Sequence, residues 1–274
     1  MSVDRATRHV LDVGRLATGG SADVSFLRAG RGEPVLLLHG FASDARDDWV
    51  ETGWFDALVA AGFDVIAPDL RGHGQSVKSR DPEDYRLDVF AGDVAALCGR
   101  CWGDRRFSLI GYSMGAHVAM SVALASADRV ARLVLGGMGD RIAATVGLAP
   151  EFADALDEQD GRSGDQRELP SYAVRFRQHA ASRPFNDLIV LAACLRGQSS
   201  VFDLGRLSAV TAPTLAIAGE QDRLAGAPQP VAALFPRGVA ETVPGVNHAS
   251  ALADQNFRER AVAHLARGSA AIIT

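Results

Sequence analysis

The stretch Leu109-Ile110-Gly111-Tyr112-Ser113-Met114-Gly115 joins a buried strand to a helix through a single sharp turn. The apolar run from Phe107 to Ile110 predicts the strand, and the residues after Ser113 have the spacing of a helix. In such a turn, a Cβ at Gly111 or Gly115 would collide with the neighbouring strand or helix. The turn exposes Ser113 near the N-terminus of the helix, where unpaired backbone N–H groups stabilise developing negative charge. This setting suits a nucleophile.

The composition of the 274-residue chain is that of an ordinary globular protein, with 47% hydrophobic and 22% charged residues. A formal net charge of −5 argues against nucleic acid as a partner, because phosphate binding needs a basic surface. No apolar run approaches the roughly 20 residues that span a membrane, and the segment Met1 to Arg5 lacks the apolar region of a signal peptide. Three cysteines do not form a disulfide framework. We therefore expect a cytoplasmic protein whose partner is a small molecule.

Four further motifs lie along the chain, each next to a predicted strand. In order they are His39-Gly40-Phe41, Pro68 to Ser76, Gly219-Glu220-Gln221-Asp222 and Pro244-Gly245-Val246-Asn247-His248. Together with the turn at Ser113, these motifs resemble the α/β-hydrolase family in type and in order, with the nucleophile first, then the acid, then the histidine. The resemblance covers nearly the whole chain. It implies an α/β fold with a mostly parallel eight-stranded sheet, flanking helices and a helical cap insertion.

The sequence changes character between about Arg141 and Gly205. This segment contains a polar stretch from Asp157 to Glu168 and helix-start signals at Pro170 and Pro184. Its position between two predicted strands matches the cap of the family, which implies that it covers the active site and shapes the substrate pocket.

On this division, residues 1–140 and 206–274 form the core and residues 141–205 form the cap. The predicted cap contains four basic side chains, Arg175, Arg177, His179 and Arg183, whose role has two interpretations. They either present positive charge to an anionic substrate or belong to the solvated face of the cap. We favour the solvated face, because charged residues are mostly exposed.

A serine hydroxyl is a good nucleophile only with a base within hydrogen-bond reach and a third group that orients the base. Of the seven histidines, only His248 lies on a loop after the final predicted strand and downstream of a carboxylate loop. His117 is four residues past Ser113 on the same helix and is too constrained in direction to serve well. Asp222, at the end of a late strand, is the expected acid. Asp140, at the end of an earlier strand, is the alternative.

The resemblance also implies an oxyanion hole formed by the backbone N–H groups of Phe41 and Met114. His39, directly before this loop, is predicted to hold it by hydrogen bonds rather than to transfer protons. Asp69 and His73 are likewise predicted to be structural.

The spacing Cys98-Gly99-Arg100-Cys101 resembles a thiol redox pair or half of a zinc site. A redox pair gains its low thiol pKa at a helix N-terminus, whereas these cysteines fall near the C-terminal end of a predicted helix. No second pair follows to complete a metal site. We therefore interpret both thiols as packing residues and expect no cofactor and no metal, which leaves a disulfide oxidoreductase as the weaker alternative.

A serine at the turn argues against a haloalkane dehalogenase or an epoxide hydrolase, since those relatives imply an aspartate there. The expected reaction is hydrolysis of a carboxylic ester through an acyl-enzyme intermediate. The same residues are compatible with a lactonase, an amidase, a carbon–carbon bond hydrolase or a perhydrolase. The loop from His39 to Asp44 lacks the glycine-rich run of the carbon–carbon hydrolases, which places these lower. A slow-turnover ligand receptor of the same fold is the alternative from another class.

Overall fold

A computed structural model describes residues 6–143, 145–146, 150–158, 170–198 and 200–267. Most of its strands belong to one sheet. The strands are β1 (Thr7–Arg15), β2 (Ser21–Gly30), β3 (Glu33–Leu38), β4 (Phe63–Pro68), β5 (Phe107–Tyr112), β6 (Val130–Gly136), β7 (Thr145–Val146), β8 (Ser200–Val201), β9 (Thr214–Gly219) and β10 (Gly238–Val243). The short strands β7 and β8 form a separate antiparallel pair.

Helices connect most of the parallel strands. They are α1 (Trp54–Ala60), α2 (Leu87–Trp102), α3 (Met114–Ala125), α4 (Pro150–Asp157), α5 (Ser171–Ala181), α6 (Leu188–Gln198), α7 (Gln229–Ala232) and α8 (Gln255–Ala266). A π-helical turn, Arg46–Val50, precedes α1, and 3₁₀ turns occupy Pro82–Tyr85 and Leu204–Ala209.

The main sheet has eight strands in the order β1-β2-β4-β3-β5-β6-β9-β10. Strand β2 pairs antiparallel with β1 and β4, and the other pairs are parallel. This arrangement confirms the predicted α/β class with a mostly parallel eight-stranded sheet flanked by helices.

Apolar side chains bury both faces of the sheet, because successive residues of a strand point to opposite sides. In β3, Leu36 and Leu38 belong to one core with side chains of α2 and α3, whereas Val35 and Leu37 belong to a second core with side chains of α1 and α8. All four are fully buried. Polar functional groups therefore come together where the parallel strands end, at the carboxyl edge of the sheet.

The turn between β5 and α3 has the close approach that its glycines predict. A Cβ on Gly111 would lie 2.2 Å from the carbonyl oxygen of Gly115, and a Cβ on Gly115 would lie 2.1 Å from that of Leu38. Ser113 has φ 51° and ψ −112°, a backbone conformation that side-chain-bearing residues rarely adopt. Strand β5 extends to Tyr112, two residues beyond the predicted end, because Gly111 and Tyr112 still pair with β6. The turn is therefore even tighter than predicted.

Helices α4, α5 and α6 lie between β6 and β9 in the chain. Their apolar side chains, including Leu156, Leu191 and Leu195, form a small core that also contains Ala42 from the loop after β3. These helices consequently pack over the end of the sheet that carries Ser113. Of the polar stretch Asp157 to Glu168, residues 159–168 lie outside the described residues.

The two helix-start signals in this segment have different outcomes. Helix α5 begins directly after Pro170, as predicted. The start predicted at Pro184 is wrong, because α6 begins only at Leu188. There Asp187 Oδ1 accepts hydrogen bonds from the backbone N–H groups of Ile189 (3.0 Å) and Val190 (3.3 Å), so an aspartate caps the helix instead of a proline.

Replacing Gly115 by alanine tests the close approach at the turn. The added methyl group meets the Leu38 carbonyl, a backbone atom that cannot move without disturbing β3, so we expect G115A to lower the free energy of unfolding by about 3 kcal/mol or more. The matched control is G92A in α2, where a Cβ has nothing within 4 Å. It should raise the free energy of unfolding by about 0.5–1 kcal/mol through helix propensity. Urea denaturation measures both, and equal stabilities of the two variants would contradict the close approach.

Candidate active site

Ser113 lies half-buried between the end of β5 and the start of α3, on the wall of a cavity of about 450 Å³. Its position follows from the turn, since the positive φ directs the side chain away from both the strand and the helix axis. Its Oγ lies 3.0 Å from Nε2 of His248, on the loop after β10. The structure therefore brings together two of the predicted site residues across 135 positions of sequence.

Aromatic side chains hold the loop that carries His248. The Tyr112 hydroxyl donates a hydrogen bond to the backbone carbonyl of His248, and the two rings lie 5.2 Å apart. Further along the same loop, Trp54 Nε1 donates to the carbonyl of Leu252 at 2.9 Å. Burial, with the nearby carboxylates of Asp222 and Asp48, raises the pKa of Tyr112 well above its usual value, so its hydroxyl remains a donor. Tyr112, the residue next to Ser113, thus helps to position the imidazole of His248.

Asp222 completes the arrangement. Its Oδ2 lies 2.8 Å from Nδ1 of His248, and its Oδ1 accepts hydrogen bonds from the backbone N–H groups of Ala225 (2.8 Å) and Leu224 (3.2 Å). The carboxylate side chain is fully buried. This pairing gives the imidazole the tautomer with a proton on Nδ1 and a free lone pair on Nε2, facing Ser113.

The alternative acid, Asp140, lies elsewhere. Its Oδ1 accepts a hydrogen bond from the backbone N–H of Ala227 at 2.9 Å, and its own N–H donates to the Ala227 carbonyl. Asp140 therefore holds the loop that follows Asp222, and the structure does not bring it to His248.

Phe41 and Met114 both border the same cavity as Ser113. Within the described part of the chain, neither of their backbone N–H groups has a hydrogen-bond acceptor. Met114 is the first residue of α3, where the N–H groups of a helix have no intrahelical partner. Two unpaired donors beside a nucleophile are the arrangement that stabilises an oxyanion.

Asp48 was not found from the sequence, and it supports the Phe41 loop. Its carboxylate accepts hydrogen bonds from the backbone N–H of Gly40 (2.8 Å) and from the Ser43 hydroxyl (2.5 Å). Between these anchors, Ala42 has a positive φ of 59°. Burial raises the pKa of the Asp48 carboxyl. A run of acidic residues in the sequence gave no sign that one of them turns inward.

The three residues predicted to be structural have backbone partners. His39 Nδ1 lies 2.7 Å from the Gly40 carbonyl, and its Nε2 accepts from the N–H of Leu70 at 2.8 Å. Asp69 accepts from the N–H of Ala45 and from Arg8. Burial lowers the pKa of His73 to about 3. All three side chains are fully buried, as a supporting role requires.

The cavity has an apolar part and a charged part. Apolar side chains include Phe41, Met114, Ile142, Phe176 and Leu195. The other part contains the ion pair of Arg183 with Asp47, and His179 lies there too.

The four basic residues predicted to belong to a cap consequently fall into different groups. Arg183 and His179 border the cavity, whereas Arg175 is exposed on α5. Arg177 donates to the backbone carbonyls of Ala155 (3.0 Å) and Leu156 (2.5 Å), near the end of α4. His179 borders the cavity but is itself exposed, so the interpretation as a solvated face fits Arg175 and His179 and not Arg177 or Arg183.

His117 also borders the cavity but is engaged elsewhere. Its Nε2 lies 2.8 Å from the carbonyl of Ile142, and burial lowers its pKa to about 4. It thus stays neutral and attaches α3 to the first residues after β6. This geometry agrees with its exclusion as the base.

The Cys98 and Cys101 thiols lie in the last turns of α2, outside the cavity lining. Burial raises the pKa of both, which disfavours the reactive thiolate. Among the described residues, no group of three or more His, Cys, Asp and Glu side chains is placed to bind a metal ion. The described helices also include none that is long and apolar enough to cross a membrane.

Comparison with known proteins identifies the class. A family model for the alpha/beta hydrolase fold matches residues 33–160. A solved structure of a thermophilic esterase from Thermogutta terrifontis aligns with a TM-score of 0.72 and 26% identity, covering 94% of this chain and 98% of that chain. The chain therefore has the α/β-hydrolase fold.

Curated relatives match a shorter region. Epoxide hydrolase B from Mycobacterium tuberculosis is 36% identical over 107 residues, which are 38% of this chain and 28% of that protein. A non-heme haloperoxidase from Rhodococcus erythropolis is 39% identical over 109 residues, which are 39% of this chain and 38% of that protein. The chain thus spans less than two fifths of the length of either relative.

The buried, neutral state of His117 predicts a pH effect on stability. Its pKa is about 4 in the folded protein against 6.5 when unfolded, so between these values only the unfolded state binds the proton. The free energy of unfolding should therefore fall as the pH falls from 6.5 to 4, by about 3 kcal/mol from this residue. In H117Q this contribution disappears and the pH dependence flattens. The control H9Q, at an exposed position, should keep the wild-type dependence. Urea denaturation at several pH values measures this, and parallel curves for wild type and H117Q would contradict it.

Proposed function

We propose that this protein is a serine hydrolase that cleaves a carboxylic ester through an acyl-enzyme intermediate. The observation that carries the proposal is the continuous chain from Ser113 Oγ through the imidazole of His248 to the buried carboxylate of Asp222. A fully buried carboxylate on Nδ1 orients the imidazole and stabilises the imidazolium that forms during the reaction.

In the first half-reaction, His248 Nε2 takes the proton of the Ser113 hydroxyl while Oγ bonds to the ester carbonyl carbon. The carbonyl oxygen becomes an oxyanion, which accepts hydrogen bonds from the N–H groups of Phe41 and Met114. The bond to the alkoxy oxygen then breaks, and the imidazolium donates its proton to the departing alcohol.

In the second half-reaction, a water molecule attacks the acylated Ser113. His248 accepts a proton from the water, and a second oxyanion forms at the same backbone donors. Collapse of this intermediate releases the carboxylic acid, and the proton returns from His248 to Ser113 Oγ. In both half-reactions, His248 first accepts a proton and then donates it.

Residues 141–205 are proposed to be the cap and the remaining residues the core. The contact of Leu195 and Phe176 with the cavity supports this division, because both belong to helices between β6 and β9. On this proposal, the cap determines which acyl and alcohol groups fit, whereas Ser113, Asp222 and His248 come from the core.

Perhydrolysis is the second candidate, supported by the relative that is named a non-heme haloperoxidase. Hydrogen peroxide would attack the acyl-enzyme in place of water and release a peroxy acid, with His248 again accepting the proton. The epoxide hydrolase relative supports membership of the superfamily more than its reaction, because Ser113 stands where a carboxylate nucleophile would be needed.

Covalent labelling tests the nucleophile. An activated Ser113 should react with a fluorophosphonate probe, and mapping of the labelled peptide should place the adduct there. S113A should abolish labelling. The matched control is S121A, two turns further along α3, which should be labelled at the wild-type rate. Labelling of S113A at full rate would remove the proposal, and labelling without turnover of any acyl substrate would favour the ligand receptor.

Replacing each of the two carboxylates separately by an amide tests which of them is the acid of the site. D222N should lower kcat by about three to four orders of magnitude, because an amide at this position holds the wrong imidazole tautomer. D140N should have a much smaller effect, since Asp140 contacts the Ala227 backbone instead. Steady-state hydrolysis of a p-nitrophenyl ester by the two folded variants decides between them. A larger loss in D140N would transfer the role to Asp140.

A further inference from the structure

Gln198 is a buried polar residue that the proposed reaction does not use. It is the last residue of α6 and borders the cavity with only 2% of its surface exposed. Its amide nitrogen lies 3.0 Å from Cys194 Sγ and 3.4 Å from Met114 Sδ. Both neighbours are sulfur atoms, which are weak hydrogen-bond acceptors.

These contacts determine which way the amide faces. A thioether has no proton to donate, so the group that faces Met114 Sδ must be the NH₂ and not the carbonyl. Burial raises the pKa of the Cys194 thiol, so this sulfur is also uncharged. The two N–H groups therefore have two sulfur acceptors, and the oxygen Oε1 is on the other side of the amide.

The amide oxygen is the unused group. It accepts no hydrogen bond from any residue that the structure describes. Apolar side chains of the same cavity include Met114, Ile142 and Leu195. The oxygen retains accessible surface at the cavity, so a ligand that brings a hydrogen-bond donor can reach it.

The position of Gln198 indicates which part of a ligand it meets. Its amide contacts the side chain of Met114, and the backbone N–H of Met114 is one of the two donors proposed for the oxyanion. Gln198 therefore lies on the same part of the cavity wall as one of these donors, close to where the carbonyl group of a bound ester would be held. The charged pair Arg183 and Asp47 belongs to other elements, the turn after α5 and the π-helical turn before α1.

We propose that Gln198 is a specificity-determining residue whose Oε1 accepts a hydrogen bond from a donor on the acyl chain of the substrate, in the simplest case a hydroxyl group. This inference rests on the proposed ester hydrolysis at Ser113. It makes hydroxylated acyl esters better substrates than plain acyl esters of the same chain length. If Gln198 only held α6 against Met114, hydroxylated and plain acyl esters would be hydrolysed with the same kcat/KM.

The test compares ethyl butyrate with ethyl 2-hydroxybutyrate, ethyl 3-hydroxybutyrate and ethyl 3-methoxybutyrate, with hydrolysis followed by pH-stat titration. In the wild-type protein, at least one hydroxy ester should have a kcat/KM about 10-fold above ethyl butyrate. The methoxy ester, which has an acceptor but no donor, should have no such advantage. This comparison needs no variant. A methoxy ester favoured as strongly as the hydroxy ester, or no preference for either hydroxy ester, would overturn the inference.

Variants then assign the preference to the residue. Q198L and Q198M remove the acceptor while keeping an apolar side chain of similar length, and both should reduce the hydroxyl preference to about 1-fold. The matched control is L195A, one turn earlier on α6 and also on the cavity wall, which should change the rates of all esters and keep the preference. A preference that survives in folded Q198L or Q198M would overturn the inference.

The two proposals fail in different ways. Hydrolysis of all esters without discrimination would overturn the role of Gln198 and leave the proposed function standing. No hydrolysis of any ester, with no fluorophosphonate adduct on Ser113, would overturn the proposed function and the role of Gln198 with it.

Discussion

The contact between the backbone of Gly115 and the Leu38 carbonyl is the constraint on which the site depends. It places the first turn of α3 directly against the end of β3, closer than any Cβ would allow. Two things follow from this approach. Ser113 is forced into its unusual backbone conformation, and the unpaired N–H of Met114 comes to lie beside the loop that carries Phe41. This one backbone contact thus determines the positions of the nucleophile and of both proposed oxyanion donors.

The other half of the site depends on burial. The Asp222 side chain is fully buried with its hydrogen bonds to His248 and to the backbone of Ala225, and such bonds are stronger inside the protein than in water. Asp48 has the same relation to the Phe41 loop, with two donors on a half-buried carboxylate. In both cases a carboxylate fixes a loop and a functional group together. Both loops at the site are therefore anchored by hydrogen bonds, and helices α5 and α6 contribute further side chains to the cavity.

Much of this arrangement was predictable from the sequence, because it rests on local rules. The strand, turn and helix around Ser113 follow from periodicity and from two glycines, and the order of the motifs follows a known family. Tyr112, Asp48 and Gln198 were not predictable in the same way. Tyr112 and Gln198 contact groups far away in sequence, the His248 carbonyl and Met114 Sδ, and a single sequence contains no sign of such contacts. Asp48 contacts Gly40 and Ser43, only eight and five residues away, but nothing in the sequence distinguishes it from its acidic neighbours. The start of α6 was missed because Pro184 is a stronger local signal than Asp187, although the aspartate is the cap.

The hydrogen bonds from Tyr112 and Trp54 to the loop after β10 have a consequence for recombination between relatives. They join the first half of the chain to a segment that follows β10, at the backbone carbonyls of His248 and Leu252. A chimera that takes its C-terminal quarter from another protein keeps a histidine in the right place only when both aromatic donors still find those carbonyls. Tyr112, Trp54 and this loop must therefore come from the same parent protein, although more than a hundred residues separate each aromatic residue from the loop.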